Sequence, residues 1–196
     1  MSELAGMYIG DVHDQALAPA MAAARRGVVI NVGSVAGYGG VPLWGPYCAS
    51  KAGLMALSQA LRLELRPFGV SVVHATPGFV ATRLHEKSAE ADRLVLDPSG
   101  PYGPLAGDVA ESFFSGGAQP LGEFSRRFAD MALSPRPPAY YLDGHLAWPV
   151  YVLSLLPTWL SDTLVYYRTR LNTLRPGRGA AAAAVPEERR PLASAE

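Results

Sequence analysis

The sequence predicts an α/β fold with a partial, doubly wound parallel sheet, and three observations carry that prediction. Val28-Val29-Ile30-Asn31-Val32 and Val70-Ser71-Val72-Val73-His74-Ala75 are short β-branched runs bounded by glycine or proline, the look of buried parallel strands. Between them, Tyr47, Lys51, Leu54, Ser58, Leu61 and Leu65 recur on one face of a helix expected from Pro46 to about Arg66. Strand, helix and strand in this order make a crossover unit, which joins parallel neighbours.

The other elements follow in chain order. Asp11 to Arg26 reads as a helix that Pro19 should kink and Gly27 should stop. Gly33 to Gly45 is a glycine-rich loop with Pro42, and Pro46 suits a first helical turn. Pro67 and Gly69 end that helix, and Thr76-Pro77-Gly78 ends the second strand. Helical fragments are expected at Arg83 to Leu96 and Gly122 to Leu133, flanking a Pro/Gly-rich loop from Asp97 to Gly107 that suits a lid. Pro135 to Leu142 reads as a final edge strand. Residues 1–145 form the α/β unit in this reading, 146–174 an apolar helical segment, and 175–196 a low-complexity tail expected to be disordered.

The 196 residues suffice for one domain with a core, and the 17% charged content is globular. Net charge is zero with no long basic tract, which argues against a nucleic-acid partner. The single cysteine, Cys48, excludes an intrachain disulfide and is expected to be a small buried side chain. The four histidines lack metal-ligand spacing, so no metal is assigned.

Chemistry gathers around the first strand and the helix after it. Ser34 leaves the carboxyl end of the strand, where open parallel sheets place ligands. Tyr47 and Lys51 stand one helical turn apart on one face. A phenol ordinarily titrates near about 10, and an ammonium within about 4–6 Å favours its phenolate. The pair is thus suited to proton transfer at neutral pH. Ser34 is placed to hydrogen-bond a substrate oxygen and hold it against the phenol.

Gly27 to Thr82, with Ser34, Tyr47-x-x-x-Lys51 and the loop Pro77-Gly78-Phe79-Val80-Ala81-Thr82, resembles the second half of a short-chain dehydrogenase/reductase. The resemblance implies a Rossmann-like fold, with Tyr47 as general acid/base, Lys51 on the nicotinamide ribose, and Ser34 orienting the carbonyl. It implies further that Pro77, Gly78, Val80 and Thr82 contact the nicotinamide end of NADP(H), NAD not being excluded. GSVAG, YCASKAGL, PGFVAT and the apolar stretch near Trp148 are similar to fungal 1-acyldihydroxyacetone-phosphate reductases. Retinol and 17β-hydroxysteroid dehydrogenases share much of this pattern. The implied reaction is NADPH-dependent reduction of a lipid ketone, 1-acyldihydroxyacetone phosphate, to lysophosphatidic acid.

The family begins with a strand and a Gly-rich phosphate-binding turn, and the sequence is expected to lack both. Gly33 to Gly40 does not spell G-x-G-x-x-G, and the family's catalytic asparagine has no counterpart near Gly6 or Met7. A truncated, non-catalytic homologue is therefore the alternative expectation. Leu146 to Leu160 is apolar, with Trp148 and Trp159, and at fifteen residues is short for a membrane span. It suits either a segment lying in a membrane surface or a lid over a lipid groove. The partners expected are a lipid-like ketone or alcohol, a membrane surface, and a homo-oligomer. The expected location is the cytosolic face of the endoplasmic reticulum or a lipid droplet, with the cytoplasm as the alternative.

Overall fold

The structure is a computed structural model and describes residues 12–82, 102–105 and 116–174. The expected helix at Arg83 to Leu96 and the tail from residue 175 lie outside the described residues, as does most of the Asp97 to Gly107 loop. Helix α1 (Val12–Ala24) carries Pro19 inside it and leads to β1 (Gly27–Val32). A short 3-10 turn (Val35–Gly37) precedes α2 (Gly45–Leu65), which has Pro46 in its first turn. Strand β2 (Val70–Pro77) is reached through Gly69, whose φ of 72° needs a glycine.

Beyond the second strand come α3 (Leu121–Ala132), β3 (Tyr140–Asp143), α4 (Ala147–Ser154) and α5 (Thr158–Arg168). The sheet order is β1-β2-β3, and both pairings are parallel. The α/β class and the parallel sheet are as the periodicity predicts. β2 runs two residues further than expected, and the last strand is shorter, Tyr140–Asp143 rather than Pro135 to Leu142. Pro135, Pro137 and Pro138 have no N–H to give a ladder, so pairing starts only after them.

The two faces of the sheet are covered differently. Val29, Val70 and Val72 pack with Leu61 and Leu65 of α2, and Ala18 and Met21 of α1 close this core. On β3, Tyr140 turns to Arg62 of α2, and Tyr141 turns to the opposite face and meets Phe128 of α3. Val28, Ile30 and Val32 of β1 lie opposite Val29 and are only partly covered.

The apolar stretch Leu146 to Leu160 is not one helix: Leu155, Leu156 and Pro157 separate α4 from α5. No helix among the described residues is long and apolar enough to cross a membrane. Trp148, Val152, Leu155 and Trp159 are exposed.

Candidate active site

Three connections bring the predicted residues to the carboxyl edge of the sheet. Ser34 follows β1 and caps the 3-10 turn: its Oγ accepts the Ala36 N–H at 3.2 Å. This contact uses the oxygen as acceptor, so the hydroxyl proton stays available for a substrate oxygen. The turn is pressed onto α2 beside Lys51. A β-carbon on Gly37 would meet the Lys51 carbonyl oxygen at 3.0 Å, so the close approach favours a glycine.

On α2, Tyr47 is partly exposed and its ring packs edge-on against Trp44 at 6.2 Å. Lys51 Nζ lies 5.8 Å from the centroid of the Tyr47 ring. It donates to the backbone carbonyl of Val32 at 3.3 Å. The helix thus brings phenol and ammonium together as the spacing predicts, but the ammonium's hydrogen bond goes to the strand end. Cys48 is buried, as expected, and its Sγ accepts the Val41 N–H at 3.4 Å.

The loop after β2 is held on both sides. Gly78 N–H donates to the Asp143 carbonyl, and Phe79 and His145 exchange two backbone hydrogen bonds. Ala81 N–H donates to Gln119, which buries Val80 and leaves Thr82 exposed. Tyr38 in the Ser34 loop meets Tyr151 of α4 edge-on at 5.1 Å, so the C-terminal apolar helix lies against the substrate side.

Two buried polar groupings escaped the sequence reading. Asn31, Ser58 and His74 join β1, α2 and β2 at one point: Asn31 Nδ2 donates to Ser58 Oγ at 3.1 Å, and His74 Nδ1 lies 3.0 Å from the same oxygen. Ser58 gives its only proton to the Leu54 carbonyl at 2.7 Å. Its oxygen therefore accepts from a protonated Nδ1. A β-carbon on Gly33 would meet His74 Nε2 at 2.6 Å, which sets the imidazole edge directly beneath the Ser34 loop. The signal for this cluster was present: Asn31 and His74 are polar residues inside apolar strands, and they are register partners.

The second grouping is Asp143, which accepts from Tyr141 Oη at 2.7 Å, Gly144 N–H at 2.9 Å and Arg127 at 3.1 Å. Burial, then the bond to Asp143, raises the Tyr141 phenol above its ordinary range. These residues line a cavity of about 730 Å³ with Asp130, His145 and Trp148, and Ser34, Tyr47 and Lys51 are not part of its lining.

Burial, followed by the fields of Lys51 and Arg62, lowers the His74 pKa below its ordinary 6.5. The unfolded chain then takes up this proton before the folded one does. The stability from His74 is complete above about pH 6.5 and declines on acidification, by up to about 1.4 kcal/mol per pH unit. Urea unfolding at pH 7.5 and 5.5 should show this loss, and the loss should be smaller in His74→Gln. Equal losses in both proteins would remove His74 as the source.

Residues 12–93 match the family model of the short chain dehydrogenases. Short-chain dehydrogenase ptmH of Penicillium ochrochloron is 32% identical over 143 residues, covering 71% of this chain and 51% of that protein. The 3-oxoacyl-[acyl-carrier-protein] reductase FabG of Rickettsia felis is 36% identical over 91 residues, covering 45% and 37%. The chain thus spans about half, or less, of the length of these curated relatives. A solved short-chain dehydrogenase from Streptomyces avermitilis superposes with a TM-score of 0.56 at 20% identity, covering 79% of this chain and 55% of that one. That likeness is one of fold. Family model and relatives together assign residues 12–93 to the short-chain dehydrogenase/reductase family.

Proposed function

We propose that this chain carries the catalytic half of an NADPH-dependent reductase acting on a lipid ketone, 1-acyldihydroxyacetone phosphate, to give lysophosphatidic acid. One observation carries the reading: the Ser34 hydroxyl, the Tyr47 phenol and the Lys51 ammonium stand at the carboxyl edge of a parallel sheet. When bound, NADPH supplies the hydride. Tyr47 and Lys51 would hold the ribose end of such a cofactor, and the Pro77 to Thr82 loop would meet its nicotinamide end.

In this reading Ser34 donates to the ketone oxygen and fixes its distance from Tyr47. Tyr47 then gives its phenolic proton to the oxygen as charge develops there, and the Lys51 ammonium stabilises the phenolate left behind. The lipid substrate is supported by α4 against the Ser34 loop and by the exposed Trp148, Val152 and Leu155 beyond it.

A second reading, a non-catalytic homologue, is favoured by one observation: the Lys51 ammonium donates to the Val32 carbonyl. One titration separates the two. NADPH fluorescence with the full 196-residue chain should show saturable binding, weaker for NADH. No saturation up to millimolar NADPH would leave only the non-catalytic reading.

A further inference from the structure

Ser34, Tyr47 and Lys51 come from two elements whose spacing no covalent neighbour sets. Tyr47 and Lys51 belong to α2, and Ser34 stands just past the end of β1. The apolar core does not fix that spacing. Its α2 members, Leu61 and Leu65, lie about 15 Å or more along the helix axis from Lys51. Apolar packing is also non-directional. Ser58 is nearer, about 10 Å along the axis, and its contacts are hydrogen bonds with direction.

The Ser58 hydroxyl is where three elements meet. It donates to the Leu54 carbonyl of its own helix at 2.7 Å, and it accepts from Asn31 of β1 at 3.1 Å. Nδ1 of His74, from β2, lies 3.0 Å from the same oxygen. His74 is buried, and the Tyr140 ring stands edge-on to it at 6.2 Å. The imidazole is thus fixed at one nitrogen and enclosed around the rest. Its far edge meets Gly33. A β-carbon there would lie 2.6 Å from both Cε1 and Nε2, so the ring fills the place of a Gly33 side chain. Gly33 N–H is tied to the Ala75 carbonyl at 2.7 Å. The residue before Ser34 is therefore seated on β2 by a hydrogen bond and on the imidazole by contact.

Stability alone does not ask for polar groups at this point. Replacing a buried hydrogen-bonded set by apolar groups of the same shape is close to neutral. What the cluster adds is direction, because it links the helix of Tyr47 and Lys51 to the turn of Ser34.

We propose that His74 is a positioning residue: clamped by Ser58 of α2, its imidazole seats Gly33 and so sets where the Ser34 hydroxyl stands relative to Tyr47. The 3-10 turn carries the setting onward, since the Ala36 N–H bonds Ser34 Oγ and Gly37 lies close against the Lys51 carbonyl. The consequence for turnover rests on the proposed function. The seating of Ser34 does not, and it is read without cofactor.

Two substitutions divide the imidazole. His74→Gln places its amide near the former Nε2, keeping bulk beneath Gly33 without a donor for Ser58. His74→Asn places its amide near the former Nδ1, keeping a bond to Ser58 and emptying the space beneath Gly33. In NMR spectra of the full 15N-labelled chain, the Ser34 and Ala36 amides should shift in His74→Asn and shift less in His74→Gln. The Leu65 and Val70 amides should stay in place and report a retained fold. In the ketone assay kcat should fall about a hundredfold in His74→Asn, the cost of about 1 Å of misplacement. The fall in His74→Gln should be about tenfold, with NADPH affinity within about threefold of the parent in both. Unmoved Ser34 and Ala36 amides in folded His74→Asn would overturn the proposal, as would the reverse order of the two variants. A loss of NADPH affinity matching the loss of turnover would leave His74 a structural role only. Gly33→Ala leaves His74 unaltered, and its methyl is driven onto the ring edge. It should shift the same amides, and their standing still would also overturn the proposal. A parent chain that reduces no ketone would remove the functional reading, and the amide shifts would then decide the seating by themselves.

Discussion

Gly78→Ala is expected to cost the fold about 3 kcal/mol, the upper range for forcing atoms into a packed site. A β-carbon at Gly78 would collide with the His145 carbonyl oxygen, and it would come within 2.9 Å of the Ala147 amide nitrogen. Both are backbone atoms, so no rotamer change relieves the clash. The backbone cannot retreat either. Gly78 N–H is held by the Asp143 carbonyl at 2.8 Å, and Phe79 exchanges two hydrogen bonds with His145. On the other strand Gly144, at a φ of 105°, already lies against Gly78. Urea denaturation at neutral pH measures the effect, and a loss below about 1 kcal/mol would show that the junction yields more readily than its bonding implies.

Under the proposed function, Tyr47→Phe should lower kcat for the lipid ketone about a thousandfold, the middle of the range for losing a positioned acid. That factor corresponds to about 4 kcal/mol of barrier. The loss should fall on turnover rather than on binding. The phenylalanine ring keeps the edge-on contact with Trp44, and Lys51 is left in place to meet the ribose. NADPH affinity should therefore change less than about threefold, measured beside the turnover assay. Retained turnover in the variant would remove Tyr47 as the proton donor.

The elements that carry the site were legible because their signals are local. Two β-branched runs and one amphipathic helix fix a parallel pair, and helical pitch alone sets Tyr47 beside Lys51. What escaped depends on partners far along the chain. The Lys51 hydrogen bond to Val32 follows from which side of β1 is paired, and no pattern within residues 28–32 records that. Asn31 and His74 each read as an isolated polar residue in a strand; their meaning comes from register pairing and from Ser58 above both. The break of the C-terminal apolar stretch before Pro157 was visible in that proline. The stretch folds as two short helices.

The Asn31, Ser58 and His74 cluster also bears on the order in which the molecule assembles. All three residues, and all three elements they join, fall between Gly27 and Pro77. The cluster, and most of the Val29, Leu61, Leu65, Val70 and Val72 core beside it, can close without any residue beyond Pro77. During synthesis the amino-terminal crossover can complete its own buried polar centre before Tyr140 is made, and β3 then adds to a finished template. The strand that arrives late is the short one, and it lands on a preformed edge of β2. Sequential zipping of this kind keeps the loop-closure cost of the distant pairing from falling on an unformed sheet.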